Sequence, residues 1–139
     1  MKITVYDKFP DEARYIRETV FLEEQGFEKE YDENDNIAKH IVIYEDNTAI
    51  ATCRVYWDEE VNCYHIGRIA VLKPHRGKGL GIKVVTEAEK LVKEMGGKEI
   101  FISGQLQVAE FYKNKLGYTQ YGDIYLEENH PHVALKKTI

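Results

Sequence analysis

An α/β fold on a mixed, mostly antiparallel sheet flanked by helices is what this chain predicts, and three observations predict it. Short runs rich in β-branched and aromatic residues are separated by tight acidic turns, the pattern of antiparallel hairpins. One of these runs, ending at Leu72, passes through a glycine-rich turn into a segment of helical period. A further apolar run, Glu99 to Ser103, follows that helix, so the two runs are expected side by side and parallel, with the helix crossing over between them.

Taken in order, Ile3 to Tyr6 alternates apolar with polar and is the first strand. Pro10-Asp11-Glu12 supplies the proline and first-turn acids of a helix start, and Ala13, Ile16, Val20 and Leu22 give that helix its apolar face. Glu23 to Asn36 is acidic and nearly without period; it is expected as a short helix or loop beside the site, either solvated or attracting an amine. His40 to Tyr44, Ala49 to Trp57 and Val61 to Leu72 form a meander through Glu45-Asp46-Asn47 and Asp58-Glu59-Glu60. In its middle strand Cys53, Val55 and Trp57 share one face, and Arg54 and Tyr56 the other. Leu80, Val84, Ala88, Leu91 and Met95 then trace one face of an α-helix that Gly96-Gly97 closes. Gln105 to Lys115 is the last helix, ended by Gly117, and Tyr118 to Leu126 with Val133 to Lys137 completes the sheet as a hairpin.

A length of 139 residues suits a single domain spanning 1–139. The opening Met1-Lys-Ile-Thr-Val-Tyr carries charge too early for a secretory leader, and no apolar run nears the roughly 18 residues that cross a bilayer. A cytoplasmic protein without a membrane partner is therefore expected. Cys53 and Cys63 match no zinc spacing and are expected as small core residues, with no metal and no disulfide. The formal charge of -5, without a basic stripe, argues against nucleic acid and suits a cationic or amine substrate.

The chemistry is expected in Arg76-Gly77-Lys78-Gly79-Leu80-Gly81-Ile82. Alternate glycines let consecutive N–H groups point into one concavity, and the helix dipole adds partial positive charge, which makes an anion cradle. Hydrogen bonds to charged groups contribute about 1.5–3 kcal/mol each, against about 0.3–1 for one exposed charge at a helix terminus, so several amides outweigh Arg76 or Lys78 alone. A diphosphate fills such a cradle better than a lone carboxylate does. The spacing is neither that of a nucleoside-triphosphate loop nor the G-x-G-x-x-G of dinucleotide folds.

Arg76-Gly77-Lys78-Gly79-Leu80-Gly81 does resemble the acyl-CoA motif Q/R-x-x-G-x-G/A of the GNAT superfamily of N-acetyltransferases. Ala109-Glu110-Phe111-Tyr112-Lys113-Asn114-Lys115-Leu116-Gly117-Tyr118 is similar to its second signature, A-x-x-F-Y-x-x-x-G-F/Y, with one residue fewer before Phe111. Arg17 to Gln25 and Tyr125 to His132 resemble the small bacterial ElaA/YjcF-like subgroup. The resemblance covers nearly the whole chain and implies a sheet splayed at its centre. It also implies acetyl transfer from acetyl-CoA to a primary amine by direct attack, with no metal and no acyl-enzyme.

Carried onto this chain, the resemblance implies that Gly77 through Ile82, with Arg76 at the edge, hold the diphosphate. Ile69 to Val71 pair with the pantetheine arm. A free N–H near Ala70 or Val71 stabilises the thioester oxygen. Ser103 and Gln107 meet pantetheine amides, and Lys113 meets CoA phosphates. Tyr112 stands beside the leaving sulfur as a hydrogen-bond donor. Many relatives carry a glutamate base on the central strand, where position 67 here is glycine. The base is therefore sought among His132, ranked first, His65, Glu24 and Glu128, with Gln25 beside the acceptor. Three alternatives stay open: an acyltransferase acting on an amino sugar phosphate or a protein lysine, a non-catalytic acyl-CoA sensor, and a nucleotide-binding module. A homodimer is expected by analogy alone.

Overall fold

The computed structural model describes residues 1–139. Seven strands, β1 (Lys2–Tyr6), β2 (Lys39–Glu45), β3 (Thr48–Asp58), β4 (Cys63–Val71), β5 (Glu99–Gln105), β6 (Thr119–Glu127) and β7 (His130–Thr138), form one sheet in the order β1-β2-β3-β4-β5-β7-β6. Every pairing is antiparallel except β4 with β5. Asp46 and Asn47 between β2 and β3, and Glu128 and Asn129 between β6 and β7, all sit at positive φ, as two-residue turns that match strand twist require.

The helices are α1 (Asp11–Arg17), α2 (Leu80–Glu94) and α3 (Ala109–Leu116). Alternation along the strands divides the core between two faces of the sheet. Ile41, Ile43, Ala51, Cys53, Val55, Ile66, Ile100 and Ile102 pack under α2 and α3 with Leu80, Val84, Val85, Ala88 and Val92. Val42 and Ala70, on the other face, pack against Ala13, Ile16, Val20 and Phe21. Cys53 and Cys63 are buried free thiols. No helix is long and apolar enough to cross a membrane.

Three local expectations change. After α1 the chain winds in i→i+5 fashion over Glu18–Glu24, with the Gln25 amide bonded to the Val20 carbonyl. The wider turn shifts the apolar face, so Phe21 rather than Leu22 enters the core. Gln105 ends β5 instead of opening a helix, and a short 3-10 turn, Leu106–Val108, leads into α3. The acidic stretch up to Asn36 is not a solvated loop throughout, because Glu30 and Asp35 are buried and bound to Arg17.

Candidate active site

The turn between β4 and α2 is built as an amide cradle. Gly77 and Gly79 are left-handed, with φ of 80° and 79°, and nothing lies within 4 Å of where a Cβ would stand. The amides of His75 and Arg76 bond back to Leu72 and Lys73, and that of Lys83 to Gly79. Between them, the N–H groups of Gly77, Lys78, Gly79, Leu80, Gly81 and Ile82 donate to no protein acceptor. They surround the N-terminus of a 15-residue helix, whose dipole reinforces them. The Lys78 side chain is exposed and stays off the wall of the cleft.

Arg76 closes the edge of the turn. Its Nε donates to the Val71 carbonyl at 2.9 Å and its two Nη atoms to Glu24 at 2.5 and 2.8 Å. Arg76 and Glu24, expected at the cofactor and the acceptor respectively, thus form one ion pair that ties the end of the N-terminal helix to the cradle. The hydrogen bond from Arg76 holds the Glu24 carboxyl below its ordinary range.

The sheet opens directly beneath. β4 and β5 pair only at Tyr64 with Ile100 and His65 with Phe101, then part. The cause lies on β4, where the register against β3 slips between Thr52 and Arg54 and Arg68 takes a left-handed φ of 49°. Past this bulge Ile69 and Val71 contact the α2 side and Ala70 the α1 side. The Leu72 amide donates to Ile50 on β3. By antiparallel alternation the Ala70 amide also faces β3, and that of Val71 faces the gap left by β5. Of the two amides expected near the thioester, Val71 is the one so turned.

Tyr112 looks into the gap from α3. Its ring lies over Gly104, where a Cβ would come within 3.1 Å of Cε2. The residue is only 7% exposed, its hydroxyl bonds to no protein group, and it lines the cleft. Burial, reinforced by Cys53, pushes its pKa well above the ordinary value and keeps the phenol protonated. Glutamines cross the same wall, with Gln107 donating to Gln105 at 2.6 Å and Gln105 to Gln25 at 2.8 Å. Ser103 bonds the Tyr125 hydroxyl and approaches Glu127 at 3.4 Å. Lys113 is not brought to the cleft: it pairs with Glu110 and Gln120, while Lys115, on the Tyr112 face of the helix, reaches the wall.

The far mouth lies on the α1 side. The His65 ring stacks along Gly67, its Nε2 3.4 Å from where a Cβ would be, so the absent side chain at 67 makes room for the imidazole. Nδ1 of His65 meets Asp58 at 3.0 Å and the Tyr56 hydroxyl at 2.8 Å, which leaves Nε2 without a protein partner on the cleft wall. Burial lowers its pKa below the ordinary 6.5 despite Asp58. His132 donates from Nδ1 to the His130 carbonyl at 2.8 Å and presents Nε2 to Glu127 at 3.5 Å. Glu128 is an exposed turn residue at the rim. No group of three or more His, Cys, Asp and Glu is placed to hold a metal ion. Cradle, gap and far mouth form one continuous cleft of about 1620 Å³, larger than the roughly 300–1,000 Å³ of a pocket for one small ligand.

Sequence reasoning missed Asp58, Gln105, Glu127 and Arg68. Asp58 could have been found, since it sits two residues beyond Tyr56, and Tyr56 pairs with His65 across the hairpin. Arg68 carried no signal, because nothing local marks it as a bulge.

A sheet split at its single parallel pairing, with an amide cradle at one end of the split, defines a cleft for an extended ligand with a phosphorylated end. The chain belongs to the Acetyltransferase (GNAT) family, whose sequence profile matches residues 4–118. It is thereby an acyl-CoA-dependent acyltransferase. YyaT of Bacillus subtilis, an uncharacterized protein, is 37% identical over 133 residues, covering 92% of this chain and 88% of its own. YjcF of the same organism, named an uncharacterized N-acetyltransferase, is 33% identical over 129 residues, 91% and 90% of the two chains. The crystal structure of Escherichia coli ElaA superposes with a TM-score of 0.86 at 18% identity, over 98% of each chain.

Proposed function

We propose that this chain moves an acetyl group from acetyl-CoA to the primary amine of a small acceptor by direct attack on the thioester. The observation that carries the reading is the run of unpartnered amides from Gly77 to Ile82, opening onto the gap between β4 and β5. In this reading the amides take the diphosphate, with Arg76 held at the edge. The strand Ile69 to Val71 offers its free backbone edge to the pantetheine arm, and the Val71 N–H donates to the oxygen that gains charge on attack. Ser103, Gln105 and Gln107 supply polar contacts along the opposite wall. Tyr112 donates to the departing sulfur. Because burial holds its proton tightly, it acts as a hydrogen-bond donor first and gives up the proton late.

An alkylammonium near pKa 10 is about a thousandth neutral at pH 7, so its proton needs an acceptor. His65 takes this role better than His132. A carboxylate holds the His65 ring by Nδ1 and leaves Nε2 free, whereas both nitrogens of His132 face protein oxygens. Glu128 and Glu127 at the rim attract the cationic acceptor.

Two measurements test the reading. Calorimetry should show coenzyme A binding and no ATP binding. Release of free thiol from acetyl-CoA should accelerate with at least one amine of a broad panel. Coenzyme A binding without turnover on any amine would make the protein a sensor, and ATP binding alone would make it a nucleotide module.

A further inference from the structure

Of the three arginines on the α1 side of the cleft, Arg17, Arg54 and Arg68, only Arg68 has no carboxylate within 3.0 Å. Arg17 spends its guanidinium on Glu30 and Asp35, with contacts of 2.6 to 2.9 Å. Arg54 takes both oxygens of Asp32, at 2.6 and 3.0 Å, and one of Asp35 at 3.0 Å. Arg68 is left with the Glu30 carbonyl at 2.7 Å and a distant 3.4 Å approach to the Asp32 that Arg54 already holds. Its Nη1 has no protein partner, and its side chain, 25% exposed, lines the cleft. The backbone there is left-handed, a conformation costing a side-chain-bearing residue about 1–2 kcal/mol. That conformation turns the guanidinium onto the face of Arg54 and Tyr56, beside the Asp32 that Arg54 holds.

We propose that Arg68 binds a carboxylate of the acceptor, so that the acceptor is an amine which also carries a carboxylate. This rests on the acyl-transfer reading above. A guanidinium with a free edge on a cleft wall recognises carboxylate or phosphate through paired N–H donors. The acids around this mouth, Asp58, Glu127 and Glu128, disfavour a doubly charged phosphate and leave the singly charged carboxylate as the better fit. Those acids also suit the ammonium end of the same molecule. Burial, and then the neighbouring Arg54 and Arg17, lower the Arg68 pKa, as expected for a cation short of counter-charge.

The test uses α- and ω-amino acids, each paired with its carboxamide, against the full chain saturated with coenzyme A for binding and with acetyl-CoA for thiol release. For at least one pair the acid is expected to bind about 10- to 100-fold more tightly than the amide, the worth of one charge-assisted hydrogen bond. Arg68→Gln should bring that ratio close to one while coenzyme A affinity is unchanged. Arg68→Lys, which keeps the charge and loses the fork, should fall between, and serves alone if the glutamine variant does not fold. The proposal is overturned if no acid exceeds its amide in the wild type, or if Arg68→Gln weakens both members of each pair equally. Arg68-dependent binding of an acid without thiol release from any amine would sink the transfer reading, and the acceptor role with it, and leave Arg68 as a carboxylate-binding site.

Discussion

At the scale of single residues, the cleft sets two titratable groups in opposite directions, and each direction fits one role. Burial raises the pKa of Tyr112 and lowers that of His65, so near neutral pH the phenol keeps its proton and the imidazole is free to take one. Tyr112→Phe removes the donor and leaves the ring that Gly104 accommodates. We expect kcat to fall by about 10²–10⁴ with coenzyme A affinity unchanged, measured by thiol release and calorimetry. An equal fall in affinity would make Tyr112 a wall of the site and nothing more. For His65 the expectation lies in the pH profile. Its depressed pKa keeps it neutral to below pH 6.5, so the acid limb of kcat/KM should titrate below 6.5. The groups around it are Asp58, Tyr56 and Arg54 on β3, Phe101 on β5 and Glu127 on β6. His65→Gln should abolish that limb, whereas His132→Gln should keep it. The reverse pattern would return the role to His132.

At the scale of elements, the strand–turn–helix unit from β4 to α2 does two things, and they can be separated. The turn exposes amides because Gly77 and Gly79 are left-handed, and the strand leaves its neighbour because Arg68 is. Gly79→Val has room for its side chain but must hold a β-branched residue at a φ of 79°. A stability loss of about 1–3 kcal/mol is expected by denaturant titration. A loss of coenzyme A affinity of 100-fold or more is expected by calorimetry, because the new methyls cover the cradle; retained affinity would remove the cradle from the phosphate site. The glycine turn could be read from the sequence because its chemistry is local, with each function set by residues two apart. The crossover of α2 and the parallel pairing of β4 and β5 were readable for the same reason, through period and order. The bulge was not, since Arg68 gives no turn signal and a slip of one residue shows only against β3. Nor was the pairing of Arg76 with Glu24, which joins residues far apart in sequence whose meeting depends on the i→i+5 winding after α1. Leu106 and Val108, inside the span expected to be helical from Gln105 onward, instead stand exposed ahead of α3, with Val108 on the cleft wall.

At the scale of the molecule, the two faces of the sheet are held by different forces. The α2 side is a continuous apolar core. On the α1 side, the segment from Glu30 to Asn36 is fastened to α1, β3 and β4 through charge, by Arg17, Arg54 and Arg68 against Glu30, Asp32 and Asp35. Acid should therefore loosen the acceptor wall. Burial disfavours the Asp35 carboxylate, but hydrogen bonds and charge from Arg17 and Arg54 outweigh it and hold the pKa at about 2, against an ordinary 3.8. A folded-state pKa below the unfolded one contributes stability that is full above about pH 5 and drains away as pH falls towards 2, about 2 kcal/mol for this group. Asp32, also lowered once Arg54 and Arg68 overcome its burial, acts in the same direction. Asp35→Asn leaves Arg17 buried without its full counter-charge, which should cost roughly 3–5 kcal/mol at pH 7. Because the variant has no carboxylate there to protonate, its deficit against the wild type should shrink by about 2 kcal/mol between pH 7 and pH 2.5 in urea titrations. A deficit that stays constant over that range would mean that the Asp35 contribution is packing, and that charge does not fasten this wall.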